Sequence, residues 1–399
     1  MISVTEALSI ITHHQVTTPT LKCDLNVSIG HRLAENLKAK LTLPPHDASA
    51  MDGYAVRLED VRKARSRLSV VGKVPAGSTF DRRIGAGEAV RIFTGAPIPE
   101  GADHIVIQEN TTRVDNEIEI LKYHNTPRHI RRAGIDFNAG DILISQGCRL
   151  GPAELAIAAA ANYNSLPVFS KPSVSIIAAG DELFLPGKAQ ALGDIVNSNT
   201  SALTALVETW GGDVTYTHLT RDNPRAIERM FKQAMQADVI VPVGGASVGD
   251  HDHMRRVFGK LGGKLIFEKI AVKPGKPTWF GKLNKRLVLG LPGNPASALV
   301  CAHLFLRPLM QGPEMIRSNA IVTEDMPANG PRETYFRGKL QFSKQSGQLM
   351  VTPFPRQDSS LLTPFLKANV LIRRESETPA IYKGEKLSVL LMGTGPSYF

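Results

Sequence analysis

Residues 171–310 constrain the fold most, because strand-like and helix-like segments alternate throughout this region. Short apolar runs such as SVSIIAA and DVIVPV are typical of buried strands, and the segments between them have the 3.6-residue apolar spacing of amphipathic helices. This alternation predicts a three-layer α/β domain with a mixed, mostly parallel sheet. Ligands of such sheets bind beyond the carboxyl ends of the strands, so the loops that follow the strands form the candidate site.

The flanking regions predict three further parts of the molecule. Residues 45–145 consist of short alternating runs separated by Gly, Pro and Asp-Asn turns, which favours an antiparallel β domain. We expect this β domain to be inserted into a helical linker domain made of residues 1–44 with 146–170, with helix through residue 40 and again from residue 151. The α/β domain is assigned to residues 171–315. The return of strands and turns in residues 316–399 predicts a small C-terminal β-barrel-like domain.

Composition and charge exclude several classes of protein. No apolar stretch reaches the ~18–20 residues of a membrane helix, and the first residues lack the features of a signal peptide. Three scattered cysteines favour a reducing compartment, so a cytoplasmic location is expected. The net charge of +10 comes from dispersed basic residues without interleaved aromatics. Steering of small anionic substrates is therefore favoured over nucleic acid binding.

Three loops rich in glycine and proline follow predicted strands: GGASVGDHD (Gly244–Asp252), KPGKP (Lys273–Pro277) and LPGNPAS (Leu291–Ser297). Their backbone N–H groups, and the helix starts that they precede, suit phosphate oxygens. Lys273 and Lys276 add positive charge. A GG turn alone is equally consistent with a simple connection, and a lone KPGK is more often a solvated turn, but the joint position of the loops at one sheet edge favours a phosphate site. No Walker or Rossmann glycine motif occurs.

The same predicted edge is rich in carboxylates, which are Asp181, Glu182, Asp222, Asp250 and Asp252. So many acids do not suit a bare anion site, but they suit a hard cation, Mg²⁺, placed between protein and phosphate. Metal-assisted attack on a phosphoanhydride is the reaction class that this combination favours. Zinc binding is disfavoured, since no suitably spaced set of four ligands occurs.

Two loops of the predicted inserted domain are also unusually rich in Gly, Pro and Asp. They are ASAMDGYAV (Ala48–Val56) and TGAPIPEGAD (Thr94–Asp103). Their composition is consistent with plain hairpin connections. It is equally consistent with a rigid lid that brings Asp52 and Thr94 to a site elsewhere.

Taken in order, the motifs SAMDGYAV, TGAPIPEGAD, RRAGID, GDEL, GGASVGDHD, KPGKP and LPGNPAS resemble the MoeA family of molybdopterin molybdotransferases, which includes the C-terminal domain of gephyrin. The resemblance covers nearly the whole chain. It implies an enzyme that inserts molybdenum from molybdate into adenylylated molybdopterin and, with Mg²⁺, cleaves the adenylate to release AMP. A noncatalytic molybdopterin-binding or scaffold protein on the same fold is the alternative.

The resemblance also implies partners. We expect a homodimer with shared active sites, in which the inserted β domain of one subunit covers the α/β domain of the other. An upstream adenylyltransferase and recipient apoenzymes are further expected partners. We expect the protein to bind neither nucleic acid nor a membrane.

Site residues follow from the resemblance, motif by motif. The implied catalytic residues are Asp52, Thr94, Asp136, Glu182, Asp222, Asp252, Lys273 and Lys276. Those implied to bind the pterin nucleotide are Gly244, Gly245, Ser247, Gly249, Pro292, Gly293 and Asn294. Mg²⁺ is assigned to Glu182, Asp222 and Asp252, and molybdate is assigned to Lys276, Ser297, Arg337 and Ser359.

The chain departs from the family pattern at three places. Ala178-Ala179 and Pro242-Val243 stand where the family usually has a hydroxyl residue before GDE and before GG, and Asp358 stands where it usually has glycine. The first two departures remove expected hydroxyl donors to the nucleotide. The third adds a carboxylate near the expected molybdate pocket, which would repel the anion unless the side chain points away.

Overall fold

The computed structural model describes residues 1–63, 65–244, 253–312 and 314–393. Two compact units are formed, one by Thr20–Phe169 and the other by Met1–Pro19 together with Ser170–Phe399. Within the described residues, every helix is too short or too polar to span a membrane.

Three of the helices begin at polar side-chain caps. In chain order they are α1 (Val4–His13), α2 (Pro152–Ala160), α3 (Ser198–Thr209), α4 (Pro224–Ala234), α5 (His253–Lys260), α6 (Pro295–Cys301) and α7 (Arg307–Leu309), with a π-helical turn (Ala302–Leu306) joining the last two. Ser3 starts α1 with a capping box, since its hydroxyl accepts from the Glu6 N–H and its own N–H donates to the Glu6 carboxylate. The side chains of Asn197 and Asn223 accept from the first turns of α3 and α4.

The prediction of helix through residue 40 is wrong after His13. The chain from residue 14 to residue 40 is extended or irregular except for one 3-10 turn (Leu25–Val27), and much of its backbone pairs with distant segments. The Leu33 N–H donates to the Cys148 carbonyl at 2.9 Å, and the Ala39 N–H donates to the Asp141 carbonyl at 2.9 Å. These nonlocal hydrogen bonds outweigh a local helical preference that is worth only tenths of a kcal/mol per residue.

The unit Thr20–Phe169 consists mainly of antiparallel strands. They are β1 (Thr20–Asp24), β2 (Arg32–Leu33), β3 (Leu37–Lys38), β4 (Ala48–Ser49), β5 (Gly53–Val56), β6 (Arg67–Val74), β7 (Glu88–Ile92), β8 (His104–Ile107), β9 (Thr111–Val114), β10 (Glu117–Ile120), β11 (Ile130–Arg131), β12 (Ile142–Ile144) and β13 (Ser165–Phe169). Six form one sheet in the order β8-β5-β7-β6-β10-β9, with β6 and β7 parallel. Val56, Ile92 and Ile118 are fully buried in the clusters that pack on this sheet. The antiparallel strands predicted between residues 45 and 145 are present.

The second unit contains the predicted three-layer α/β fold. Its first strands are β14 (Ser173–Ala179), β15 (Leu183–Phe184), β16 (Ile195–Val196), β17 (Asp213–Thr220), β18 (Val239–Val243), β19 (Lys264–Phe267), β20 (Val272–Lys273), β21 (Trp279–Leu283) and β22 (Arg286–Gly290). The sheet order is β17-β14-β18-β22-β21-β19; the first four are parallel, and β21 is antiparallel to both of its neighbours. Ile176 packs with α1, α3 and α6 in one cluster, whereas Ile177 packs with α4 and α5 in another. Helices therefore cover both faces of the sheet.

A closed barrel completes this unit. Its strands are β23 (Arg317–Val322), β24 (Glu333–Ser343), β25 (Gln348–Pro353), β26 (Val370–Arg374) and β27 (Lys386–Leu391). They pair in the order β24-β25-β23-β27-β26, and β26 pairs again with β24 to close the ring. The short strand β20 adds to β24, with Lys273 opposite Thr334. This pairing fixes the KPGKP loop beside the first residues of the barrel.

Candidate active site

The loops at the carboxyl edge of the α/β sheet touch one another. Val243 and Leu291 form a bridge at the ends of β18 and β22, and the Gly244 N–H donates to the Leu291 carbonyl at 3.2 Å. A Cβ on Gly293 would lie 3.3 Å from the Gly244 Cα, so close approach needs glycine here. The Asn199 side chain, in the first turn of α3, donates to the Gly293 carbonyl at 2.7 Å.

These contacts involve Gly244, Gly293 and their neighbours, which were predicted to bind the pterin nucleotide. Four other predicted site residues, Gly245, Ser247, Gly249 and Asp252, lie outside the described residues.

Two of the acids meet at the ends of β14 and β17. The Asp222 N–H donates to the Asp181 carboxylate at 3.3 Å, and Asp181 and Glu182 are exposed. Within the described residues, no group of three or more His, Cys, Asp or Glu side chains is close enough to hold a metal. Carboxylate oxygens that reach solvent still suit Mg²⁺, because this ion keeps several waters and needs only one or two carboxylates besides its phosphate ligands.

A second group of predicted residues lines a cleft of about 540 Å³ between the α/β sheet edge and the barrel. We call this space the basic cleft and define it by Lys273, Lys276, Ser297, Arg332 and Ser359. Within the part of the chain that the structure describes, neither lysine forms an ion pair. The cleft therefore offers unneutralised cations and hydroxyl donors to an oxyanion.

The turn that presents the two lysines packs on the Cys301 side chain of α6. Gly275 has a φ of +118°, and a Cβ there would lie 2.1 Å from the Cys301 Sγ. The Thr278 hydroxyl donates to the Gly275 carbonyl at 2.8 Å and lies 3.2 Å from the same sulfur. Burial raises the pKa of Cys301 to about 12, so this thiol is an uncharged packing group.

Ser359 belongs to a loop, residues 356–361, that reaches from the barrel to the start of α6, and we call it the Ser359 loop. Its hydroxyl accepts from the Asn294 side chain at 2.8 Å, and its carbonyl accepts from the Ala296 N–H at 2.9 Å. Ser297, one residue further along α6, is 4% exposed and lines the basic cleft. The LPGNPAS loop and the Ser359 loop are thus joined at the cleft.

The structure places the predicted molybdate ligand Arg337 beneath the Ser359 loop, not among the residues that line the cleft. Arg337 is 2% exposed, and its guanidinium donates to the main-chain carbonyls of Asp358 at 2.9 Å and Leu361 at 2.6 Å. Arg332, which sequence reasoning missed, lines the cleft instead. The feature that could have identified Arg332 is its position directly before the first residue of β24, which pairs with the strand leading into the KPGKP turn.

Asp358, the acid that replaces the usual glycine, is held by its neighbour. Its carboxylate accepts from the Ser360 hydroxyl at 2.6 Å and from the Ser360 N–H at 2.8 Å. The hydroxyl hydrogen bond, followed by the backbone one, lowers the pKa of Asp358. The carboxylate is therefore engaged within its own turn, although the residue borders the basic cleft.

In the unit Thr20–Phe169, the structure brings Asp52 and Thr94 together. The Asp52 carboxylate accepts from the Thr94 N–H and from the Thr94 hydroxyl, both at 2.8 Å. The backbone hydrogen bond, followed by the hydroxyl one, lowers the pKa of Asp52. Asp136 is exposed, and its N–H donates to the Leu43 carbonyl at 3.2 Å.

The other departures from the family pattern lie in buried strands. Ala178 and Ala179 end β14 at 1% and 5% exposure, and Val243 ends β18 at 2% exposure. These positions pack in the core of the sheet. Among the described residues, the Asn199 side chain is one polar group close to this edge, since it donates to the Gly293 carbonyl.

Comparison with known proteins covers nearly the whole chain. Residues 2–162 match the MoeA N-terminal region (domain I and II), residues 175–312 match a probable molybdopterin binding domain, and residues 319–392 match the MoeA C-terminal region (domain IV). The chain is 35% identical to a molybdopterin molybdenumtransferase of Haemophilus influenzae, over 93% of this chain and 94% of that protein. It is 33% identical to the molybdopterin molybdenumtransferase of Bacillus subtilis, over 98% and 94% of the two chains.

Solved structures agree with this similarity. The molybdopterin biosynthesis MoeA protein of Pyrococcus horikoshii superposes with a TM-score of 0.83 at 29% identity, covering 99% of this chain and all of that one. A second structure of the MoeA protein from the same organism has a TM-score of 0.84 at 26% identity.

Proposed function

This chain belongs to the MoeA family, whose members insert molybdenum into molybdopterin, and we propose that the basic cleft and the strand-end acids are two parts of its active site. The chain is accordingly a transferase of molybdenum cofactor biosynthesis. The single observation that supports the proposed site best is the meeting of Lys273, Lys276, Ser297 and Ser359 around one cleft.

Molybdate is the substrate that we assign to the basic cleft. Lys273, Lys276 and Arg332 supply positive charge, and the Ser297 and Ser359 hydroxyls supply neutral donors, which together suit a tetrahedral oxyanion. Arg332 adds a cation to the predicted molybdate ligands at the cleft, and the assignment of Arg337 to molybdate stays a prediction.

Adenylylated molybdopterin is the second proposed substrate. Its phosphoanhydride would lie along the edge formed by Gly244, Pro292, Gly293 and Asn294, where backbone groups approach closely. Glu182, Asp222 and Asp252 would hold Mg²⁺ at this edge, and that ion would neutralise phosphate charge when bound.

In the proposed reaction, an oxygen of water or of molybdate attacks the adenylate phosphorus, the bond from that phosphorus to the bridging oxygen breaks, and the pterin leaves with its own phosphate. Attack by water yields AMP directly, whereas attack by molybdate yields an adenylyl-molybdate anhydride, which water hydrolyses to AMP and molybdate. Lys273 and Lys276 stabilise the negative charge that develops on the phosphate oxygens. Asp52, with Thr94 and Asp136, completes the site from the second subunit of a cytoplasmic homodimer. An upstream adenylyltransferase would supply the substrate, and apoenzymes would receive the cofactor.

The assay for this proposal is molybdate-dependent release of AMP from adenylylated molybdopterin in the presence of Mg²⁺. We expect Asp52→Ala and Glu182→Ala each to abolish AMP release, because each removes a carboxylate that we place in the active site. Circular dichroism and sedimentation should match those of the wild type. Wild-type turnover in either variant would remove that residue from the catalytic set.

The same assay separates catalysis from the noncatalytic alternative. A wild-type protein that binds adenylylated molybdopterin but releases no AMP would be a binding or scaffold protein. Omission of Mg²⁺, and replacement of Mg²⁺ by EDTA, tests the metal requirement in the same experiment.

A further inference from the structure

The turn that carries Asp52 is held on its backbone as well as on its carboxylate. Thr94 donates to the carboxylate through its N–H and its hydroxyl. The Gln108 N–H donates to the Asp52 carbonyl at 3.2 Å, and the Arg91 guanidinium donates to the next carbonyl, that of Gly53, also at 3.2 Å. Both carbonyls that follow the Asp52 side chain are therefore fixed, which limits the directions in which the carboxylate can point.

The Arg91 guanidinium is itself held in one orientation. It donates a second hydrogen bond to the side-chain oxygen of Gln108. Its central carbon lies 5.1 Å from the centre of the Tyr54 ring and 5.0 Å from the centre of the Phe93 ring. A planar cation can contact two rings and two acceptors at once, whereas the point charge of a lysine cannot reproduce this arrangement.

The charges around Arg91 do not favour the sheet in which it lies. Lys73 of β6 is directly opposite Arg91 of β7, and its ammonium lies 5.1 Å from the centre of the Phe93 ring. Within the part of the chain that the structure describes, neither cation forms an ion pair. Like charges opposite one another destabilise a sheet, so sheet stability does not account for a cation at position 91.

The positive charge of Arg91 acts on Asp52. The hydrogen bonds from the N–H and the hydroxyl of Thr94 are the main causes of the lowered pKa of Asp52, and the nearby Arg91 charge lowers that pKa further. Arg91 thus affects Asp52 in two ways, by hydrogen bonding to the adjoining backbone and by its charge.

We propose that Arg91 is a positioning residue for Asp52, which fixes the direction of that carboxylate through the Gly53 carbonyl while Gln108 orients the guanidinium. Arg91 does not touch the substrate in this role. The inference rests on the proposed function, since it takes Asp52 as an active-site carboxylate. A catalytic group that is held in its working direction before the substrate binds needs no further ordering during the reaction.

The test is Arg91→Lys, which keeps the positive charge but loses the planar fork. We expect kcat for AMP release to fall about tenfold, because even a small displacement of a catalytic group slows the reaction. The KM values for molybdate and for adenylylated molybdopterin should each change less than about twofold. The pKa of Asp52, followed at its carboxyl carbon by NMR, should rise towards its ordinary value, because the Thr94 donors no longer meet the carboxylate squarely.

Arg32→Lys is the matched control, because Arg32 has the same kinds of contact in a different sheet of the same compact unit. Arg32 is half-buried like Arg91, its guanidinium lies 5.4 Å from the centre of the Phe169 ring, and it donates to the Gly147 carbonyl at 3.4 Å. We expect the control to lower the thermal midpoint much as Arg91→Lys does, while kcat and the Asp52 titration stay at their wild-type values. An equal fall of kcat in both variants would indicate a general loss of stability and would overturn the proposal.

Gln108→Ala tests the orientation of the guanidinium without altering any charge. The variant removes the side-chain acceptor but keeps the N–H that binds the Asp52 carbonyl, and the side chain is exposed, so we expect the fold to be retained. Its kcat should fall less than that of Arg91→Lys, and the double variant should show less than the product of the two effects. A wild-type kcat together with a wild-type Asp52 titration in Gln108→Ala would overturn the positioning role.

The NMR titration separates this inference from the proposed reaction. If Asp52→Ala kept wild-type turnover, the catalytic role of Asp52 would fail, and the titration alone would decide the positioning role. A rise of the Asp52 pKa in Arg91→Lys but not in Arg32→Lys would support that role. An unchanged Asp52 pKa in Arg91→Lys would refute it.

Discussion

At the scale of single residues, neighbouring donors favour the ionised form of two carboxylates. Asp52 is held by the N–H and the hydroxyl of Thr94, and Asp358 is held by the hydroxyl and the N–H of Ser360. In both cases the hydrogen bonds favour the charged form and lower the pKa of the carboxyl group. Asp52 is thus kept as an anion, the form that our proposed role requires.

Thr94→Val tests this effect on Asp52. The variant removes the hydroxyl donor but keeps the backbone N–H, so the pKa of Asp52 should rise part of the way to its ordinary value of about 3.9. The stabilisation of the wild-type carboxylate exists above the unfolded pKa and disappears as the pH falls through the lower, folded pKa. Titration of the Asp52 carboxyl carbon by NMR measures the shift.

Thr111→Val is the control for that titration, because the Thr111 hydroxyl donates to a backbone carbonyl of Gln108 and to no carboxylate. Its Asp52 titration should match the wild type. An unchanged Asp52 titration in Thr94→Val would show that the hydroxyl does not stabilise the charge.

At the scale of elements, tight packing beneath the loops sets their shape. The KPGKP turn lies on Cys301 of α6, and its position follows from the pairing of β20 with β24. Glycine is needed at position 275 for two reasons. Its φ lies in the left-handed region, and the space that a Cβ would occupy is filled by the Cys301 sulfur. The placement of both lysines therefore depends on a residue that carries no functional group.

Gly275→Ala is expected to disturb this turn. Strain and overpacking together should lower the free energy of unfolding by about 2–4 kcal/mol, and displacement of the lysines should raise the KM for molybdate. Urea unfolding and the AMP assay measure the two effects. Gly330→Ala is the control, since a Cβ there meets nothing within 4 Å and the residue has no left-handed φ. Equal stability of the two variants would contradict the expected clash.

At the scale of the whole molecule, the proposed catalytic residues are divided between the two compact units. Asp52, Thr94 and Asp136 belong to Thr20–Phe169, whereas Glu182 and the lysines belong to the other unit. The proposed homodimer with shared active sites explains this division, because each site would take one set of residues from each subunit.

Mixing two inactive variants tests that arrangement. Asp52→Ala and Glu182→Ala subunits, unfolded together and refolded, should recover roughly a quarter of wild-type AMP release, because half of the random dimers are mixed and each holds one intact site. If each site were made within one subunit, no mixture would regain activity, because every subunit carries one of the two substitutions. Activity that stays at the level of the separate variants would therefore contradict shared sites.

Much of this protein follows from the sequence alone. The alternation over residues 171–310 determined the three-layer α/β fold, because side-chain periodicity reports directly on which face of a strand or helix is buried. Glycine and proline marked the loops at the sheet edge, because they encode local backbone geometry. The motifs, taken in their order along the chain, were sufficient to identify the family.

Only the tertiary structure decided what depends on distant partners. The segment from residue 14 to residue 40 is extended because its backbone bonds to residues more than 100 positions away, which no local pattern records. Arg332 and Arg337 are five positions apart and chemically identical, yet one lines the basic cleft and the other is buried under the Ser359 loop. That difference arises from the loop between β25 and β26, which supplies the carbonyls that Arg337 binds.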